Sequence, residues 1–151
     1  MTLPYGKLNR QKVERIKRVI LEEPDRFFME GFAVIHDMRF GVSLRKPMPP
    51  GWHKPPCGTT ACLSGWSNIL KNQDEGLPYT ESLSDMTRAY RWLTDAADDE
   101  EDVDYEPMWD LFYVNEWPWV YRKLYEGAET SRTRARAAAD LLDHLVAGVP
   151  S

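Results

Sequence analysis

The chain has 151 residues, carries a net charge of −5, and is 42% hydrophobic and 28% charged. At roughly 100–200 residues per domain this is one domain, able to bury a core without disulfide or metal and too apolar to be disordered. No apolar run approaches the about eighteen residues of a membrane span, Met1–Arg10 lacks the apolar core of a secretory signal, and two cysteines fit a reducing compartment, so a cytoplasmic protein is expected.

Asn9 reads as the N-cap of a first helix over about Asn9–Glu23, whose Val13, Ile16, Val19 and Ile20 form a 3/4-spaced apolar stripe. Pro24 ends it, because the residue before a proline avoids helical geometry, and Phe27, Phe28 and Met29 follow as core anchors. Gly31–Leu44 alternates as an extended segment and predicts a short hairpin. Pro47–Pro56 has five prolines in ten residues and reads as a surface loop that carries Trp52 and His53.

A second helix is expected to open at Thr59 or Thr60, with Thr59 as its cap, and to run to Asn72 before Gly76. Further helices are expected over Ser84–Thr94, Pro107–Tyr113 and Pro118–Tyr125. A last one spans Ser131–Ala147, on a ridge of Ala135, Ala138, Leu142 and Leu145 closed by Gly148. Trp66, Trp92 and Trp109 fall on these helices and read as core, and His144 reads as a partly buried, hydrogen-bonded histidine. The fold class is therefore mainly α: a single helical domain of five to six helices over 1–151, with a possible hairpin near 31–44.

Charge is unevenly spread. Residues 1–75 hold 12 Lys/Arg and 8 Asp/Glu, whereas residues 76–151 hold 7 and 16. Nine carboxylates and no base lie between Asp95 and Asp110, so 95–106 reads as an acidic loop. Such a chain is poorly suited to nucleic acid, whose phosphates are bound by Lys and Arg, but it suits a basic protein surface. The segment fails as a calcium loop: counting from Asp95, Ala97 occupies position three and Glu100 replaces the turn glycine.

Cys57-Gly58-Thr59-Thr60-Ala61-Cys62-Leu63-Ser64-Gly65-Trp66 is the most unusual segment. Small residues at a helix opening leave backbone N–H groups unblocked, a setting for a phosphate or carboxylate, although the lysine and glycine of a P-loop are missing. An anion at Gly58, Thr59 and Thr60 would be helped by Trp52 and by the bases Arg39, Arg45 and Lys54. The bland alternative is a capped helix start whose Ala61 and Gly65 permit close packing. His53, Cys57 and Cys62 form one loose cluster with zinc-like spacing, but zinc sites pair two such clusters, so no metal is expected and packed or capping thiols are favoured. Ser64-Gly65 lacks the preceding glycine of a nucleophile elbow, and a Cys57 nucleophile with His53 or His36 has no supporting signature. No catalytic set and no cofactor are expected.

Glu23-Pro24-x-x-Phe27-x-Met29, the Cys57–Gly65 run, Leu111-Phe112 with Trp117-Pro118 and an Ala-rich last helix together resemble a group of small uncharacterised proteins of bacteriophages and bacteria. That group carries a Cys-Gly-Thr-x-Ala-Cys-x-x-Gly motif, with histidine often standing where this chain has Trp66. The resemblance implies a phage or mobile-element accessory protein rather than a housekeeping enzyme. The expectation is a binding protein that sequesters a small anionic, nucleotide-like ligand at 57–60. The alternative is an inhibitor that presents 95–106, with Asp98, Asp99, Glu100 and Glu101, to a basic host protein, without membrane or direct nucleic-acid contact.

Overall fold

The structure is a computed structural model that describes residues 3–29, 34–35, 59–79, 81–97 and 99–148. Helix α1 (Arg10–Glu22) starts where the Asn9 side chain accepts the Lys12 N–H at 3.0 Å, and its Val13, Ile16 and Ile20 are buried. A single 3-10 turn at Pro24–Arg26 then swings Phe27 into the core. Next to it, the Ala61 N–H donates to the Arg26 carbonyl at 3.0 Å and the Phe28 N–H to the Ala61 carbonyl at 3.1 Å.

The strand β1 (Val34–Ile35) pairs antiparallel with β2 (Thr59–Thr60), so the recorded partner of 34–35 lies 24 or more residues away in the chain rather than at 40–44. The remainder of the expected hairpin and the 47–56 loop lie outside the described residues. This pairing moves the helix start. Thr59 and Thr60 are extended, and α2 (Leu63–Glu75) opens instead at Cys62, whose Sγ accepts the Gly65 N–H at 3.4 Å. Gly76 closes α2 in the left-handed region at φ 68°.

Four helices complete the described chain: α3 (Met86–Leu93), α4 (Glu106–Phe112), α5 (Trp119–Glu126) and α6 (Ser131–Ala147). Asp85 caps α3 and Thr130 caps α6 through side-chain oxygens that accept first-turn N–H groups. Helix α6 packs its buried alanines and Leu141, Leu142 and Leu145 against α1 and α5, while α3 lies along α2. Trp66 and Trp92 are buried as expected, but Trp109 is 48% exposed. Its place on a seven-residue helix leaves the core to its neighbours Met108, Leu111 and Phe112. His144 is partly buried as expected, between Tyr5 and Tyr121 at ring distances of 5.3 and 5.6 Å, but among the described residues its buried Nε2 has no hydrogen-bond partner.

Helix α2 is buried from Leu63 to Leu70 and carries four buried polar side chains, Ser64, Ser67, Asn68 and Asn72. Three of these, at i, i+4 and i+8, form one stripe, because residues four apart share a helix face. Asn72 donates to the carbonyls of Tyr79 and Glu81 at 3.0 and 2.9 Å, and Asn68 donates to that of Asp85 at 2.9 Å. Their own carbonyl oxygens receive the two arms of Arg88 from α3, at 2.9 and 2.6 Å. The described residues of the loop between α2 and α3 are thereby held to α2 by side chains. Replacing Asn72 with Ala strands two loop carbonyls and one arm of Arg88, so urea denaturation is expected to show a loss of about 1–3 kcal/mol with helix content retained.

Candidate functional site

The acidic loop divides into a structural part and an exposed part. Asp95 adopts φ 58°, a left-handed conformation that Asp tolerates, and receives the Asn9 amide and the Lys12 ammonium, each at 2.6 Å. These two bonds, that from Asn9 first, hold its carboxyl below the ordinary value. Arg91 gathers the next stretch: its guanidinium donates to the carbonyls of Ala97 and Glu100, at 2.6 and 2.7 Å, and to the Tyr105 hydroxyl. The carboxylates of Asp99, Glu100, Glu101 and Asp102 remain exposed, and Asp98 lies outside the described residues.

Helices α4 and α5 follow directly and turn apolar groups toward solvent. Trp109 and Tyr113, four residues apart, stack at 5.6 Å with an interplanar angle of 18°, and Tyr113 is 44% exposed. On α5, Trp119, Val120 and Leu124 are 66%, 53% and 49% exposed, and the Lys123 ammonium lies 4.6 Å from the Trp119 ring. Positions 119, 120, 123 and 124 share one helix face, while Tyr125 on the opposite side is buried. Between 95 and 129 there are twelve carboxylates and two bases, Arg122 and Lys123. Exposed aromatics on short helices within a predominantly acidic stretch are what a docking surface looks like rather than what a monomer leaves in water.

A second feature lies at the start of α2. Cys62 and Ser64 line a cleft of about 450 Å³ whose walls include Met29, Met86, Phe112 and Val114. Asn115 and Glu126 also line it, and Glu126 is the one formally charged residue among its described lining. Burial pushes the Cys62 thiol above its ordinary value, and its Sγ is engaged as the cap of α2.

Of the expected ligand-binding set, Arg39, Arg45, Trp52, Lys54 and Gly58 lie outside the described residues, as do His53 and Cys57 of the metal alternative. Thr59 and Thr60 are in β2, two residues short of the helix start on which the anion reading depended. Among the described residues no group of three or more His, Cys, Asp or Glu is placed to hold a metal ion, and no helix is long and apolar enough to cross a membrane. The exposed face of α5 and the Ser64–Asn68–Asn72 stripe were missed in the sequence. The first shows there as apolar residues on both sides of a helix, and the second as small polar residues spaced by four. No protein-family profile, curated protein or solved structure matches this chain.

The carboxylates of Asp74, held by Arg15 at 2.9 Å, and of Asp95 are both depressed in the fold, Asp74 chiefly by its bond to Arg15. A depressed carboxyl contributes its stability above the unfolded value and loses it as pH falls through the folded one. Asp95→Asn is therefore expected to lower the melting temperature modestly at neutral pH. The gap to the wild type should narrow below about pH 4, near the unfolded value of Asp, as read by thermal melts across pH.

Proposed function

We propose that the protein acts by binding, docking the exposed aromatic and apolar side chains of α4 and α5, with the carboxylates of 99–102, on a basic partner protein. The observation that carries this reading is the exposure of Trp109, Tyr113, Trp119, Val120 and Leu124 within a stretch of twelve carboxylates and two bases. Tryptophan and tyrosine supply most of the energy of binding surfaces, while surrounding charge sets orientation and encounter rate. A partner complementary to this face presents Lys and Arg around apolar pockets. The resemblance to phage and bacterial proteins adds a context in which that partner is a host factor whose basic surface is blocked.

The reading of a small anion held at Gly58, Thr59 and Thr60 is less well supported. The helix opens at Cys62, and the described lining of the cleft there carries Glu126 and no base. An anion placed beside a carboxylate would need a compensating cation.

The test is affinity isolation of partners with wild type and with the Trp109→Ser/Trp119→Ser double variant, followed by association kinetics with the purified partner. Both tryptophans are already exposed, so the melting temperature should hold while affinity falls about thirtyfold or more, as for paired hot spots. Neutralising Asp98, Asp99, Glu100 and Glu101 together should slow association and flatten its salt dependence, because exposed charges are screened beyond about 8 Å at physiological ionic strength. Retrieval of the same partner with equal affinity by the double variant would contradict the proposal. So would a dimer of this chain that the double variant dissolves, which would assign the face to self-association.

A further inference from the structure

We propose that the cleft at the C-terminal ends of α4 and α5 is the anchor pocket of the docking surface: it takes one large apolar side chain from a partner segment that flanks that side chain with Lys or Arg. The inference rests on the docking reading and deepens it, naming what the partner inserts and where. Burial grades from floor to rim. Phe112 and Tyr125 are buried, Met29, Met86 and Val114 are half-buried, and Tyr113 and Glu126 are exposed. Apolar wall therefore lies within reach of a side chain entering from solvent. The described floor offers such a side chain little to hydrogen-bond. The Cys62 Sγ accepts the Gly65 N–H, the Tyr125 hydroxyl accepts the Met29 N–H at 2.9 Å, and the Ser64 hydroxyl is closed off beneath the surface. A charged group pushed to that depth would lose its water without gaining a partner, whereas an apolar one loses nothing.

The rim joins the cleft to the exposed groups of both helices. Tyr113 lines it and stacks on Trp109 at 5.6 Å, so the aromatics of α4 run up to its edge. Glu126 stands three residues after Lys123 and seven after Trp119, spacings that keep all three on one side of α5. Charge then decides what flanks the occupant. Twelve carboxylates and two bases lie between 95 and 129. Glu126 itself pairs with Arg122 at 2.9 Å, an exposed i,i+4 pair of little strength that a partner's cation can join. A neutral apolar molecule would fill the floor and leave the rim unused; an apolar residue set between Lys or Arg engages both. The two methionines adapt the walls to Leu or to an aromatic ring. A volume of about 450 Å³ holds one such side chain with room to spare. Hot spots of binding surfaces sit in pockets of this kind and meet an anchor on the partner.

The experiment titrates the full chain, its methionine methyls and tryptophan indoles labelled for NMR, with acetylated and amidated peptides of three lysines, one central residue and three lysines. The central residue is Leu, Phe or Trp, with Gly as the reference, and N-acetyl-leucine amide supplies the apolar group without the charge. At least one apolar peptide is expected to shift the Met29 and Met86 methyls saturably. It should bind about tenfold or more tighter than the Gly peptide, the effect of burying one large apolar side chain. It should also bind tighter than N-acetyl-leucine amide, by a margin that shrinks with salt. Met86→Ala, at the half-buried first position of α3, should reduce the preference for an apolar centre and leave the affinity for the Gly peptide unchanged; the wild-type titration decides the matter if that variant unfolds. Equal binding of Gly and apolar peptides, with the Trp109 and Trp119 indoles shifting and the two methyls still, would overturn the pocket and leave the docking surface standing. An undiminished preference in folded Met86→Ala would place the apolar residue elsewhere and overturn it too. N-acetyl-leucine amide binding as tightly as the peptides would make the cleft a small-molecule site, with the same consequence. No saturable shift with any lysine peptide at millimolar concentration would also overturn the pocket, and the affinity isolation with the Trp109→Ser/Trp119→Ser variant then decides the docking reading on its own.

Discussion

Arg88 reaches from α3 to the carbonyl oxygens of both Asn68 and Asn72, and the rest of the architecture depends on that grip. A helix buried as completely as α2 would ordinarily be apolar all round. Here one stripe is polar, and its amide groups take up carbonyls of the loop that leads to α3. The arrangement is satisfied at both ends: each asparagine donates to the loop and accepts from the arginine. Partly satisfied networks of this kind are costly and fully satisfied ones specify a single packing. The carbonyls of Tyr79, Glu81 and Asp85 are thereby tied to α2, and Arg88 ties α3 to the same stripe.

Two consequences reach the surface. Because α3 is fixed, Arg91 on the same helix can hold the carbonyls of Ala97 and Glu100, which orders the start of the acidic loop without spending its carboxylates. Asp95 and Lys12 tie the same corner to α1. The charges at 99–102 that remain exposed are thus carried beside a main chain bonded to α3 through the Glu100 carbonyl. At the other end of α2, the stripe runs past the last loop carbonyl and ends on Ser64 at the cleft. The same helix therefore carries both a packed apolar side and a buried polar stripe.

Much of this was legible in the residues. Asn9 with Val13, Ile16 and Ile20 marks α1, and Thr130 with the alanine ridge before Gly148 marks α6, because cap, periodicity and terminator agree within each segment. The start of α2 was not legible. Thr59 is the better capping residue by local chemistry, yet its backbone is committed to a strand pairing with Ile35, and the cap passes to Cys62. Trp109 was misassigned for a related reason: aromatic residues usually serve the core, and nothing local reveals that Met108, Leu111 and Phe112 already fill that side of α4. The asparagine stripe was visible as spacing but not as function, since its partners are main-chain carbonyls and an arginine from the following helix. Long-range partners, not local propensity, decided each of these cases.

The central claim is that α4, α5 and the exposed carboxylates form the working surface of the protein. Hydrogen exchange of the isolated complex with its basic partner tests it most directly, because it maps contact without altering a residue. The account predicts that protection gained on binding concentrates in 106–126 and 99–102, with α1 and α6 unchanged. Protection confined to α1 and α6, with α4 and α5 exchanging as in the free protein, would contradict it.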